Sequence, residues 1–264
     1  MSLLADLHTH TIASGHAYST VTENAAAARR AGLELIAVTD HGPAVPEGAH
    51  LWHFWNLKVI PSVLDDVRII KGCEANPCLA SENGIDLPDE VLEQLDFVAV
   101  GLHPLTGFDE GDRMKNTEAM LRVISNPFVD MITHPGNEDE FPLDIDEIIA
   151  AAKRHRVIIE INDYSFTPTS ARNGSSARER EFAEAAHATG TPIAVGSDAH
   201  YHLRVGRFDH ALGVLESLGI PHAACVNRDA ESVLEFLLGK RARPRLEYGG
   251  VWATPEGGNV EASR

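Results

Sequence analysis

Short apolar, β-branched runs alternate along the chain with longer segments of helical period. Residues 3–7, 35–39, 67–71, 97–100, 129–133, 157–161 and 193–195 are nearly continuous in apolar character. That pattern predicts parallel strands covered on both faces by helices. Residues 22–31, 115–124, 145–154 and 177–188 are alanine-rich or amphipathic and predict helices between them. Thr22 with Glu23 reads as the cap of the first helix and Gly32 as its C-terminal stop. Pro88-Asp89 opens another helix, and Gly190 ends the long one before Pro192. Strand then helix about every 30 residues is the size of one βα unit. Seven such units without a break in composition predict an α/β fold, a single closed (β/α)7 barrel, with an open doubly wound sheet as the competing arrangement. The barrel is expected to occupy residues 1–248, and the glycine-rich, polar stretch 249–264 to be a loose tail.

Composition narrows the partners. At 264 residues and 44% hydrophobic content the chain can bury a full core. A formal net charge of −17 repels polyphosphate backbones, so no nucleic-acid partner is expected, while bound divalent cations would offset part of it. Cys73, Cys78 and Cys225 form no disulfide pattern and read as small core residues of a reducing compartment. No run is long enough for a membrane span. A cleaved leader would carry away His8 and His10, so the expected location is the cytoplasm.

The residues just past each strand share one chemistry. The first strand leads to His8-Thr9-His10 and His16, the second to Asp40-His41, the third to Glu74, the fourth to His103, the fifth to His134, the sixth to Asn162 and the seventh to Asp198-Ala199-His200. Strand alternation sends His8 and His10 to one face. Parallel barrels build their sites at the C-terminal ends of strands, so these side chains should converge on one rim. A catalytic zinc takes about three protein ligands, so seven histidines and two carboxylates predict two or three ions. Glu74, central in ligand order, is the expected bridge. Imidazole and carboxylate without thiolate suit zinc, manganese or iron.

The remaining polar residues divide differently. His50 and His53, in an aromatic segment, read as a packed lid or subunit contact, and His155, His187, His210 and His222 as solvated helix residues. His202, two beyond His200, could also reach the rim. Asp6 and Asp40 are candidates for accepting the second N–H of a ligating imidazole. Glu160 lies inside a strand and requires a buried partner. Asn162 could hold a substrate oxygen or orient a ligand. Arg172 lies in a polar loop past the sixth strand, where an ordinary solvated role competes with phosphate contact.

Taken together, His8-Thr9-His10, Thr39-Asp40-His41-Gly42, Glu74, His134-Pro135-Gly136 and Asp198-Ala199-His200 resemble the polymerase and histidinol phosphatase (PHP) family over nearly the whole chain. The segments His16-Ala17-Tyr18-Ser19-Thr20, Trp52-His53-Phe54 and Lys115-Asn116-Thr117-Glu118-Ala119-Met120 are similar to its YcdX-like probable phosphatases. The resemblance implies a distorted, TIM-like seven-stranded barrel with a trinuclear zinc centre, Mn2+ or Fe2+ being possible substitutes. One ion would take His8, His10, Glu74 and Asp198, a second Glu74, His103 and His134, and a third His16, His41 and His200. The resemblance also implies a homotrimer. The run Asn162-Asp163-Tyr164-Ser165 departs from the family pattern and bears on substrate preference.

The reaction expected from this set is hydrolysis of a small phosphorylated metabolite, a phosphomonoester, by a metal-activated hydroxide. Glu74, Asp198 and His200 would carry catalysis, and Asn162 and Arg172 are the candidate substrate contacts. The competing readings are a metal-dependent phosphodiesterase or exonuclease, an amidohydrolase of carbon–nitrogen bonds, and a non-enzymatic regulatory module of the same fold.

Overall fold

The computed structural model describes residues 3–108, 112–137, 139–167, 170, 172 and 175–240; the expected tail at 249–264 lies outside them. The elements in chain order are β1 (Ala5–Thr9), α1 (Val21–Ala31), β2 (Leu35–Val38), α2 (Leu51–Asn56), β3 (Val63–Leu64), β4 (Val67–Ala75), α3 (Asp89–Leu92), β5 (Phe97–Val100), α4 (Arg113–Ile124), β6 (Met131–Ile132), α5 (Ile145–His155), β7 (Ile158–Asn162), α6 (Ser175–Thr189), β8 (Ile193–Gly196), α7 (Asp209–Ser217) and α8 (Ala230–Lys240). Seven strands run parallel in the order β1-β2-β4-β5-β6-β7-β8, and β3 adds a two-residue antiparallel hairpin arm to β4. The order follows the sequence without reversal, as a barrel requires and a doubly wound sheet does not. No helix among the described residues is long and apolar enough to cross a membrane.

Two apolar layers hold the fold. Inside the ring, Ala5, Leu7, Leu35, Ala37, Ile70, Phe97, Ala99, Met131, Ile158 and Ala194 pack with Val233, Leu234, Phe236 and Leu237 of α8, which stops the N-terminal mouth. Outside it, the alternate strand residues, such as Ile36, Val38, Ile69, Val98, Ile159 and Val195, pack against the helices. The apolar strand runs are thus explained by burial on both faces. Local details differ from the sequence reading. The first helix is capped two residues earlier, by a Thr20–Glu23 capping box. β4 extends to Ala75, so Glu74 stands within the strand rather than beyond it.

The ring closes between β1 and β8 without a regular ladder. At the rim, His10 N donates to Ala199 O (2.9 Å) and Ala199 N to His8 O (3.3 Å). Lower down, the Asn227 amide fills the gap: Nδ2 donates to Ala5 O and Val195 O, both at 2.8 Å, and Oδ1 accepts from Val195 N at 3.1 Å. Asn227 is fully buried. Asn227→Ala strands these backbone groups without water, and we expect unfolding free energy to fall by roughly 3 kcal/mol in urea titrations. A change under 0.5 kcal/mol would mean that the seam needs no such bridge.

Candidate metal centre

The rim residues predicted from the sequence do come together. The register of β1 on β2 steps three residues (Asp6 to Thr9) against two (Ile36 to Val38), a bulge. It turns both Leu7 and His8 inward: Leu7 joins the inner core while His8 Nε2 comes to 3.3 Å from Glu74 Oε2. Simple alternation places His8 and His10 together; the bulge is what points them into the ring. Glu74 is at the centre. Its Oε1 lies 2.9 Å from His134 Nε2, 3.3 Å from His103 Nε2 and 2.6 Å from Thr133 Oγ1, which donates to it. Its Oε2 lies 2.9 Å from His41 Nδ1 and 3.5 Å from His10 Nε2. Asp198 Oδ1 lies 3.5, 3.4 and 3.3 Å from His8 Nε2, His10 Nε2 and His200 Nδ1. His16 joins at the outer edge, its Nε2 3.0 Å from His200 Nε2.

These side chains could hold cations. His8 Nε2, His10 Nε2, His41 Nδ1, His103 Nε2, Glu74 Oε2 and Asp198 Oδ1 are buried and make no hydrogen bond, although they converge on one space. Buried polar atoms are rarely left so. Four overlapping groups bring three ligand atoms each within 4.8 Å of one another: His8, His10 and Asp198; His8, Glu74 and His134; His41, Glu74 and His103; His10, His41 and His200. Burial together with the neighbouring His200 and His41 holds His10 well below the ordinary histidine value, and burial with Arg172 nearby lowers His134 to about 4. Held neutral, these two imidazoles present the lone pairs a metal needs. Burial opposes ionisation of Glu74, but His8, His103 and His41 outweigh it and keep the carboxyl well below its usual range.

A second ring of polar residues fixes these orientations, and the sequence shows little of it. Glu160 finds the buried partner it requires: Oε1 takes His8 Nδ1 at 2.7 Å, and Oε2 accepts from His134 N at 2.8 Å. Asn76 Oδ1 holds His103 Nδ1 at 2.7 Å, and Asn76 is itself held by Asp86, a residue not singled out from the sequence. Asp40 accepts from Thr11 N, Thr11 Oγ1 and Ser14 Oγ, and Ser14 Oγ in turn accepts from His41 N at 3.0 Å. His53 reaches this network, its Nε2 3.1 Å from Asp40 Oδ2, so it is tied to the site rather than confined to a lid. His50 caps α2, and His202 pairs with Ser19 away from the ligand atoms. Asp6 accepts backbone N–H groups of Ser197 and Gly206 and touches no imidazole.

Arg172 is not a solvated arginine. Its side chain is 14% exposed and Nη1 donates to Asp198 Oδ2 at 2.7 Å, leaving Oδ1 free to face the histidines. The Asn162 amide is engaged with Glu160, Asp198, Ser165 and Arg172, the geometry of an orienting arm. His134 (φ 31°) and Asp198 (φ 52°) both sit in the left-handed region, where non-glycine residues are uncommon and strain collects at functional sites.

A parallel barrel whose strand ends carry a buried cluster of histidines and carboxylates is the class that fold and site define. The PHP domain model matches residues 6–164, and the chain belongs to that family. It is 46% identical over 243 residues to a probable phosphatase of Thermoanaerobacter sp. (strain X514), covering 92% of this chain and 98% of that one. It is 44% identical over 245 residues to a probable phosphatase of Acetivibrio thermocellus, covering 93% and 99%. Among solved structures, histidinol phosphate phosphatase from Lactococcus lactis, complexed with zinc, L-histidinol and phosphate, aligns with a TM-score of 0.60 at 17% identity, covering 84% of this chain and 95% of that one. At that identity the likeness shows the shared barrel.

Proposed function

We propose that the protein is a metal-dependent phosphatase that hydrolyses small phosphomonoesters. The observation that carries this reading is the set of six buried, hydrogen-bond-free ligand atoms converging around Glu74 and Asp198. The naming of full-length relatives as probable phosphatases supports it. His8, His10, His16, His41, Glu74, His103, His134, Asp198 and His200 would hold the ions, with Glu74 shared between them. Their number and separation suit three, and the oxygen–nitrogen donor set suits zinc, manganese or iron. Divalent ions in such a cage supply positive charge to a phosphate and make water acidic enough to yield hydroxide near neutral pH.

The chain's own groups do the rest. Glu74 and Asp198 stay ionised and place negative charge only on the floor of the site. Arg172 keeps a permanent cation beside Asp198 at the mouth, where it can meet a phosphate oxygen. Asn162 holds Asp198 and Arg172 in register. The net charge of −17 favours compact monoesters over polynucleotides.

Elemental analysis paired with hydrolysis of p-nitrophenyl phosphate and bis(p-nitrophenyl) phosphate tests this. We expect two to three equivalents of zinc, manganese or iron, preference for the monoester, loss of turnover on chelation and recovery on adding Zn2+ or Mn2+. Turnover unaffected by chelation, or preference for the diester or for amides, would overturn it.

A further inference from the structure

Glu179 is a fully buried carboxyl on α6 that the proposed reaction does not use. Its Oε1 accepts from Gly136 N at 3.2 Å, and the Asn162 N–H also faces it. Gly136 ends the turn His134-Pro135-Gly136, which brings His134 Nε2 to Glu74. Proline in the middle has no N–H, so His134 N and Gly136 N are the only backbone donors the turn offers. Each ends on a buried carboxyl: His134 N on Glu160, Gly136 N on Glu179. The turn carries His134 at a φ of 31°, a conformation that persists only where the surroundings over-determine it. The fit is close as well, because a Cβ on Gly136 would come within 2.5 Å of Glu179 N and 2.7 Å of its Cγ.

We propose that Glu179 is a positioning residue, the second jaw of a two-carboxyl clamp that holds the strained His134 turn and aims its imidazole into the metal cage.

The clamp has one charged and one neutral jaw. The charged groups facing Glu179 are Glu160, on β7, and Arg172, past its end. Burial and the adjacent Glu160 push the Glu179 carboxyl up to about 8, so near pH 7 it is an acid, not an anion. That fits its other oxygen, Oε2, which is buried without a hydrogen-bond partner; an ionised carboxylate there would cost far more. Glutamine is then its near-isostere, keeping the acceptor for Gly136 N and the neutral charge. Aspartate keeps the acid but is one methylene too short.

The activity readout rests on the phosphatase reading; the metal readout does not. Full-length Glu179→Gln and Glu179→Asp proteins, loaded with Zn2+, are compared with wild type by elemental analysis, steady-state kinetics on p-nitrophenyl phosphate and thermal melting. We expect the glutamine protein to keep its metal content and kcat within about threefold at pH 7. The aspartate protein should lose at least one metal equivalent and ten- to a hundredfold in kcat, with KM within about twofold and a folded melting transition. Above pH 8 wild type should lose kcat as Glu179 ionises beside Glu160, and the glutamine protein should not. Melting should show the same sign. The folded chain keeps the Glu179 proton up to about 8 while the unfolded chain releases it near 4.5. Wild-type stability therefore falls from pH 5 to pH 8 relative to the glutamine protein. An aspartate protein with wild-type metal and kcat, or a glutamine protein as impaired as the aspartate one, overturns the clamp. If wild type hydrolyses no phosphate ester, the metal counts decide the matter alone.

Discussion

We expect Glu74→Ala to lose bound metal and turnover together while leaving the barrel folded. The carboxylate is surrounded by His8, His10, His41, His103 and His134, all within 3.5 Å of one of its oxygens. These imidazoles come from four strand ends or the loops after them, so no single histidine can take its place. Without the carboxylate Asp198 is the one carboxylate left facing the ligand nitrogens, and a divalent ion would lose both a charge partner and the ligand shared between sites. The strand itself tolerates the change, because Glu74 makes its ladder contacts through backbone. We expect kcat to fall by on the order of 10³-fold or more, metal content to drop by at least one equivalent on dialysis, and circular dichroism to keep the wild-type shape. Full activity in this protein would sink the proposed chemistry.

Gly196→Ala strikes the same centre from behind. A Cβ at this position on β8 would come to 1.8 Å from Glu160 Oε1 and 3.0 Å from the Cβ of His8. Glu160 cannot swing away cheaply, since it holds His8 Nδ1, His134 N and the Asn162 amide at once. The added methyl must therefore displace either β8 or the carboxylate that sets two of the histidines. Overpacking of this kind costs about 1–3 kcal/mol by itself, and more when buried hydrogen bonds break with it. Metal affinity should fall about 10–100-fold as His8 loses its orienting partner. Thermal melting of the metal-free protein and competition with a zinc chelator read the two effects separately. A Gly196→Ala protein with unchanged melting and affinity would show that Glu160 is not fixed where the structure places it.

The barrel was legible because its strands are short, apolar and regularly spaced, and their exits carry His, Asp or Glu. The ligand cluster followed from the rule that parallel barrels work at one end. What was not legible is whatever depends on meetings across the ring. Glu160 and His8 are 152 residues apart, and nothing local in either stretch names the other. The Asn76–Asp86 support of His103 and the burial of Arg172 on Asp198 are likewise products of closure. The β1 bulge escaped for a different reason, since both the regular and the bulged strand put His8 and His10 on a common side. The link from His53 to Asp40 is equally hidden in the sequence, because its aromatic neighbours Trp52 and Trp55 are exposed, while its own ring turns inward.

The gap bridged by Asn227 gives the wall one line along which it is buttoned rather than woven. His8 belongs to the first stave and Asp198 follows the last, so any cation gripped by both is a rivet across that line. Filling the cage would then tighten the hoop of the barrel as well as arm its mouth, and emptying it would return that slack to the whole cylinder.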